Sequence, residues 1–291
     1  MEIQITQRQR AFIRSTAFET LFGGAAGGGK SYAQLIDALV FALQYPGSQQ
    51  LMLRRTFPEL RRSLIQVSLS LYPTECAVYK ESVHRWVFVN DSIIEFGYCD
   101  NESDVTKYQS AEYDVIRFDE LTHFTEFQFT YLLSRIRGVN GYPKQVKSST
   151  NPGGIGHQWV KERYIDCLTP EKEEDGKLFL PARVQDNSFL MQHDPEYVKR
   201  LEMLDEGSRK ALLYGEWNLL EGRYFPEFSA EIHVAEAEYI PNDWRRYLSI
   251  DYGLDMLAAL WVALDEHGTA WVYREVYQSG LVISEAAEQI L

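Results

Sequence analysis

The chain has 291 residues, 45% of them apolar and 24% charged, which is enough apolar material for one large domain and part of another. A formal net charge of −13 excludes a protein that coats nucleic acid non-specifically, because phosphate backbones call for a basic face, so any DNA contact is local or built by oligomerisation. No apolar stretch approaches membrane-spanning length, Met1 to Arg10 lacks a signal core, and Cys76, Cys99 and Cys167 have no paired spacing, so the chain reads as cytoplasmic, with core thiols and neither a disulfide framework nor a zinc cluster.

Short apolar runs then alternate with helical patterns. Glu19 to Phe22 reads as a strand, followed by a helix from Lys30; Gln50 to Leu53 is the next strand and Pro58 to Leu71 the next helix. Arg85 to Val89 and Ser92 to Phe96 form a hairpin closed by Asn90-Asp91, and Val115 to Phe118 and Gln145 to Ser149 are further strands. This alternation predicts an α/β fold with a mainly parallel sheet covered by helices on both faces. Leu168 to Lys177 is charged and reads as a surface loop, Asp194 to Leu213 as helical, and Gly215 to Arg223 as a break. From Trp244 three apolar runs, Tyr247 to Ile250, Leu257 to Leu264 and Ala270 to Val276, open a second sheet.

Gly24-Ala25-Ala26-Gly27-Gly28-Gly29-Lys30-Ser31 fits the phosphate-loop pattern G-x-x-x-x-G-K-[ST], directly after a strand and at the opening of a helix. Gly24, Gly27, Gly28 and Gly29 let backbone N–H groups turn toward phosphates, Lys30 reaches the β and γ phosphates of ATP, and Ser31 ligates Mg²⁺. About ninety residues on, Val115-Ile116-Arg117-Phe118-Asp119-Glu120 is a strand ending in two carboxylates. Such a Walker B ending assigns Asp119 to the Mg²⁺ shell and Glu120 to the water as general base, the pattern of ATPases that perform mechanical work.

Around these motifs the chain resembles the large terminase subunits of tailed bacteriophages. Thr6-Gln7-Arg8-Gln9 is similar to the family's adenine-contacting element, with Gln9 on the base edge. Leu53-Arg54-Arg55-Thr56-Phe57-Pro58-Glu59-Leu60 and Phe118-Asp119-Glu120-Leu121-Thr122-His123-Phe124 follow their strands in the family manner. Ser149-Thr150-Asn151-Pro152-Gly153-Gly154, with His157-Gln158-Trp159-Val160, resembles the coupling motif, in which Asn151 senses the γ phosphate. Pro181-Ala182-Arg183-Val184-Gln185-Asp186-Asn187 and Tyr214-Gly215-Glu216-Trp217 are similar to the passage from motor to linker. Many members carry an arginine inside or just before the phosphate loop; Gly23 to Gly28 has none, and Arg135 and Arg137 stand as the candidates to complete the site from a neighbouring subunit.

The resemblance implies a P-loop ATPase domain over 1–188, a small helical linker over 189–231, and over 232–291 the first, incomplete part of a ribonuclease H-like nuclease. There Leu248-Ser249-Ile250-Asp251-Tyr252-Gly253 carries the first metal-binding aspartate, Asp251, with Asp255 as a helper. It also implies double-stranded DNA, a portal protein and a small terminase subunit as partners, a homo-oligomeric ring on the portal, and the host cytoplasm with transient residence on the procapsid. A helicase-like ATPase sharing the core, and an ATP-gated assembly subunit without motor activity, are the alternatives.

Overall fold

The computed structural model describes residues 3–218, 233–235, 239–253 and 256–290. Contacts divide the chain into two compact units, 1–223 and 224–291.

In the first unit a nine-stranded sheet runs in the order β3-β4-β5-β2-β6-β7-β1-β9-β8. Its middle is parallel: β5 (Ile93–Tyr98), β2 (Gln49–Arg54), β6 (Val115–Asp119), β7 (Gln145–Thr150), β1 (Glu19–Gly24) and β9 (Lys177–Ala182). Every residue of β1, β6 and β7 is buried, as continuous runs are when a parallel strand is covered on both faces. The edges are antiparallel: β3 (Ala77–Lys80) and β4 (Arg85–Phe88) on one side, and the two-residue β8 (Glu173–Glu174) on the other.

Helix α1 (Gln7–Arg14) starts at a reciprocal capping box between Thr6 and Gln9, and α2 (Lys30–Gln44) starts at Gly29. Residues 57–71 form one helical run with a π turn at Arg61–Ile65, opened by the Thr56 cap with Pro58 in its first turn. Two cores result. Leu21, Leu53, Phe118, Phe124, Phe129 and Tyr164 anchor one; Leu35, Met52, Leu64, Trp86 and Ile94 anchor the other, beneath α2 and the 57–71 run.

The expected strands and the hairpin at Asn90-Asp91 are found, and β3 and β9 add two the periodicity does not reveal. Glu173–Glu174 pairs with β9, so the 168–177 stretch is not wholly loop. The helical stretch expected over 194–213 is broken into Tyr197–Glu202 and a run over 206–214, with Ser188–His193 before it. These helices pack on the phosphate loop within the first unit, where Ala25, Val184, Leu201 and Leu213 share a core. Of the three thiols, only Cys99 is fully buried, and Cys167 is exposed.

The second unit contains an antiparallel sheet, β10 (Arg245–Tyr252), β11 (Met256–Leu264) and β12 (Ala270–Ser279), then the helix Ile283–Ile290. Among the described residues no helix is long and apolar enough to cross a membrane.

Candidate nucleotide site

The parallel strands end on one side of the sheet, so the residues that close β1, β6, β7 and β2 meet there without being neighbours in sequence. The loop after β1 needs glycine for steric reasons. Gly24 has φ +136°, and a Cβ on it would lie 2.4 Å from the Ala182 carbonyl; Gly27 and Gly29 have φ near +73° and +72°. The loop is also held from outside: Ala25 N–H donates to Ala182 O (2.8 Å), Ala26 N–H to Leu212 O (2.7 Å) and Asn187 Nδ2 to Gly27 O (2.7 Å). The first-turn N–H groups of α2 have no intrahelical acceptor and form the anion-binding end of the helix.

Lys30 is buried. Its Nζ donates to Ala25 O (2.6 Å) and to Asn151 Oδ1 (2.7 Å), which joins the loop to the end of β7. Burial pushes its ammonium down to about 8, partly opposed by Glu120 and Asp119. Asp119 is fully buried at the end of β6, where its Oδ1 accepts from Ser31 Oγ (2.8 Å) and Ser149 Oγ (2.7 Å). Its Oδ2 is buried without a hydrogen-bond partner. A buried carboxylate oxygen that makes no hydrogen bond and has Arg54 Nε 3.2 Å away, beside a serine hydroxyl, fits a hard divalent cation, which takes oxygen ligands and needs only one or two protein groups when phosphates supply the rest. Gln34, on α2, bridges Phe118 O and Ser149 Oγ at 2.8 and 2.7 Å and fixes the spacing of β6 and β7 beneath these groups.

Glu120 adopts φ 59°, ψ 61°, a left-handed conformation that costs a non-glycine residue roughly 1–3 kcal/mol. The turn carries its carboxylate over the end of β7, where it accepts from Asn151 N–H (3.2 Å) and Asn151 Nδ2 (3.3 Å). Burial, then the Asp119 carboxylate, raises its pKa above the ordinary glutamate value, partly offset by Lys30 and Arg54. A basin of about 290 Å³ lined by Arg54, Glu120, Asn151, Gly153 and Gly154 lies on this side of the loop. A larger basin of about 540 Å³, lined by Gln4, Gln9, Gly29, Tyr32, Asn187 and His193, lies on the other.

The structure therefore brings Lys30, Ser31, Asp119, Glu120 and Asn151 together. Gln9 lines the larger basin with its amide already engaged: Oε1 accepts from Thr6 N–H (2.8 Å) and Nε2 donates to Gly29 O (2.9 Å). Arg135 and Arg137 lie elsewhere, at the other end of β6, where Tyr113 N–H bonds Arg135 O and Arg137 N–H bonds Tyr113 O. Arg137 pairs with Glu112 at 3.4 Å, and Arg135 donates to Gln109 O and Ser134 Oγ.

Arg54 and Asn187 are the site residues to which the sequence assigned no role. Both stand in stretches that resemble the family, and the signal that identifies Arg54 is the pairing of β2 with β6, which seats an arginine ending one strand beside an aspartate ending the next.

In the second unit Asp251 is exposed on β10, and Asp255 lies outside the described residues. Asp251 pairs with Ala258, while Glu275 of β12 pairs with Leu260, so the two carboxylates share a face. Two strand spacings and two residues separate them by about 12 Å. The described residues hold no cluster of three or more His, Cys, Asp or Glu residues suited to a metal ion.

Sheet order, glycine loop and strand-end carboxylates define a phosphate-loop NTPase fold. The family model for the phage terminase large subunit matches residues 16–215, and the chain belongs to that family. Its structure is similar to that of the large terminase from a thermophilic bacteriophage, with a TM-score of 0.64 and 19% identity over 99% of this chain and 73% of that one. The ADP complex of the same terminase gives 0.63 and 18%, over 98% and 73%. A variant ATPase domain of the large terminase from Thermus phage P74-26 matches at 0.51 and 16%, over 73% and 93%. These likenesses are of fold. No curated protein sequence gives a match.

Proposed function

We propose that this chain is the ATP-hydrolysing motor subunit of a phage terminase and moves double-stranded DNA into the procapsid. The observation that carries this reading is the convergence of Lys30, Ser31, Asp119, Glu120 and Asn151, from separated stretches of the chain, into hydrogen-bonded contact at the ends of the parallel strands. The large terminase of the thermophilic bacteriophage has been crystallised with ADP and with ATP-γ-S, which supports the same ligand class here.

Lys30 and the loop N–H groups bind the β and γ phosphates, while Gln9 and its basin take the base. Ser31 and Asp119 would hold Mg²⁺, which when bound offsets charge on the phosphate oxygens. Glu120 accepts a proton from water as the water oxygen bonds to the γ phosphorus. The bond to the β–γ bridging oxygen breaks, and its electron pair leaves on ADP. Asn151 touches both Lys30 and Glu120, so the loss of phosphate alters both ends of one hydrogen-bonded link; this supports its role as the γ-phosphate sensor.

In this reading the partners are double-stranded DNA, a portal protein, a small terminase subunit and further copies of the chain in a ring. The place of action is the host cytoplasm and, transiently, the procapsid. Asp251 is read as the first metal ligand of a ribonuclease H-like nuclease.

The test is nucleotide binding and turnover with portal, small subunit and DNA supplied. Lys30→Ala should abolish binding, and Glu120→Gln should keep binding while lowering kcat by about 10²-fold or more. Full turnover in Glu120→Gln would remove the base assignment; a wild-type chain that never hydrolyses ATP would remove the motor.

A further inference from the structure

Arg54 closes β2 next to Asp119, and its side chain is largely buried at 17% exposure. Its Nε lies 3.2 Å from Asp119 Oδ2, and its Nη2 3.5 Å from Glu120 Oε1. Neither Nε nor that aspartate oxygen makes a hydrogen bond, although both are buried. Structural arginines elsewhere in this chain are held differently. Arg163 grips Glu19 through Nε and Nη2 at 2.9 and 2.7 Å, and Arg117 grips Asp37 through the same two nitrogens at 2.9 and 2.6 Å. Short bidentate pairing is how a guanidinium is satisfied when its role is to brace a fold. Arg54 instead has an Nε that faces Asp119 without a hydrogen bond and an Nη2 that reaches Glu120 only at 3.5 Å, at the edge of the basin shared with Glu120 and Asn151, and a buried donor held this loosely is costly unless a ligand completes it.

We propose that Arg54 is a catalytic arginine supplied in cis, whose guanidinium binds the γ-phosphoryl oxygens of the nucleoside triphosphate and stabilises the charge that develops there during hydrolysis. The phosphate loop itself has no arginine between Gly23 and Gly28, so the only cation it contributes is Lys30. Lys30 bonds Asn151 and Arg54 lies beside Glu120, and since Asn151 and Glu120 bond each other at the edge of one basin, a phosphoryl group seated there has both cations near it. In the absence of phosphate the guanidinium is held by its ion pair with Asp119 and a long hydrogen bond, 3.5 Å, from Nη2 to Glu120 Oε1. The inference rests on the ATPase reading above.

Titration calorimetry with ATP-γ-S and with ADP, alongside steady-state hydrolysis, tests it. Arg54→Ala should weaken ATP-γ-S binding while leaving ADP binding unchanged, and should lower kcat by about 10²-fold or more, the scale for losing one preorganised charge-stabilising donor. Arg54→Lys should recover part of kcat, because it restores charge without the fork. If Arg54→Ala does not fold, Arg54→Gln, a neutral residue that keeps one N–H donor group, carries the same comparison. Equal loss of both ligands, or a lowered thermal midpoint with the ATP-γ-S to ADP ratio unchanged, would make Arg54 a structural partner of Asp119 and overturn the proposal. Wild-type turnover in Arg54→Ala, with Lys30→Ala inactive, would overturn it while leaving the ATPase reading intact; a wild-type chain without hydrolysis fails that reading instead.

Discussion

At the scale of single residues the site is a set of charges kept in unfavourable surroundings. Lys30 is buried where its ammonium is penalised, and its pKa falls from 10.5 to about 8. A lysine whose folded value lies below its unfolded one contributes stability above pH 10.5 and loses it as pH falls through 8. At neutral pH its charge is therefore maintained against folding, as the proposed phosphate-binding role requires. In the free protein the charged form is lost as pH rises through 8, so nucleotide affinity should weaken on that limb, by about tenfold between pH 7 and pH 9, one decade per unit beyond the pKa. Bound phosphate holds the proton on Lys30, so the complex releases it at higher pH. Calorimetric titration of ADP across this range checks the limb, and an affinity flat from about pH 7 to about pH 9.5 would contradict the burial of the ammonium. Glu120 shifts the other way, upward, so the acid limb of kcat should lie above the ordinary glutamate value.

At the scale of elements, one carboxylate on α2 ties the helix to three strands. Asp37 accepts from Arg117 of β6 and from Lys147 of β7 (2.6 Å), and Arg117 also donates to Gln50 of β2 (2.6 Å). These are the elements whose ends carry Lys30, Asp119, Asn151 and Arg54, so the network sets their relative register below the site. Two cations share a single buried anion, and burial lowers the Lys147 ammonium below its usual range. Asp37→Asn removes the carboxylate that Arg117 and Lys147 share and should cost about 3–5 kcal/mol, the range for breaking a buried ion pair. Lys147→Met should cost less, because Asp37 keeps its bidentate arginine. Urea denaturation at constant m-value measures both; a loss below ~1 kcal/mol for Asp37→Asn would mean the network contributes little.

At the scale of the whole molecule the question is what a second copy supplies. Arg135 and Arg137 stand at the N-terminal end of β6, about 20 Å along the strand from Asp119 at about 3.3 Å per residue, and do not reach their own site. Arg137 is exposed and Arg135 half-buried, so both meet the surface, as a residue acting on a neighbour's nucleotide in a ring must. Mixing Arg135→Ala or Arg137→Ala subunits with Lys30→Ala subunits should then give ATP turnover above either component, since one copy keeps the site and the other the arginine; a trans arginine is worth about 10³-fold or more. If no mixture exceeds its parts, both assignments are wrong, and Arg54 is the arginine to weigh alone.

What could be read from the sequence was contiguous. The phosphate loop, the Asp119-Glu120 strand end and the Asn151 turn each compress their chemistry into a few adjacent residues whose backbone demands, glycines at positive φ and a buried strand before two acids, are local. The parallel sheet followed from alternating apolar runs for the same reason. Strand β9 escaped because a charged loop precedes it and Pro181 interrupts it; the proline is tolerated because, among the described residues, β9 beyond Leu178 has β1 on one side and no strand paired on the other. Arg54, Asn187 and the Asp37 network could not be read at all. Their roles depend on strand order, on β2 lying beside β6 and on the helices after β9 folding back over the loop, and these juxtapositions come from long-range packing that leaves no mark at any fixed spacing in the chain.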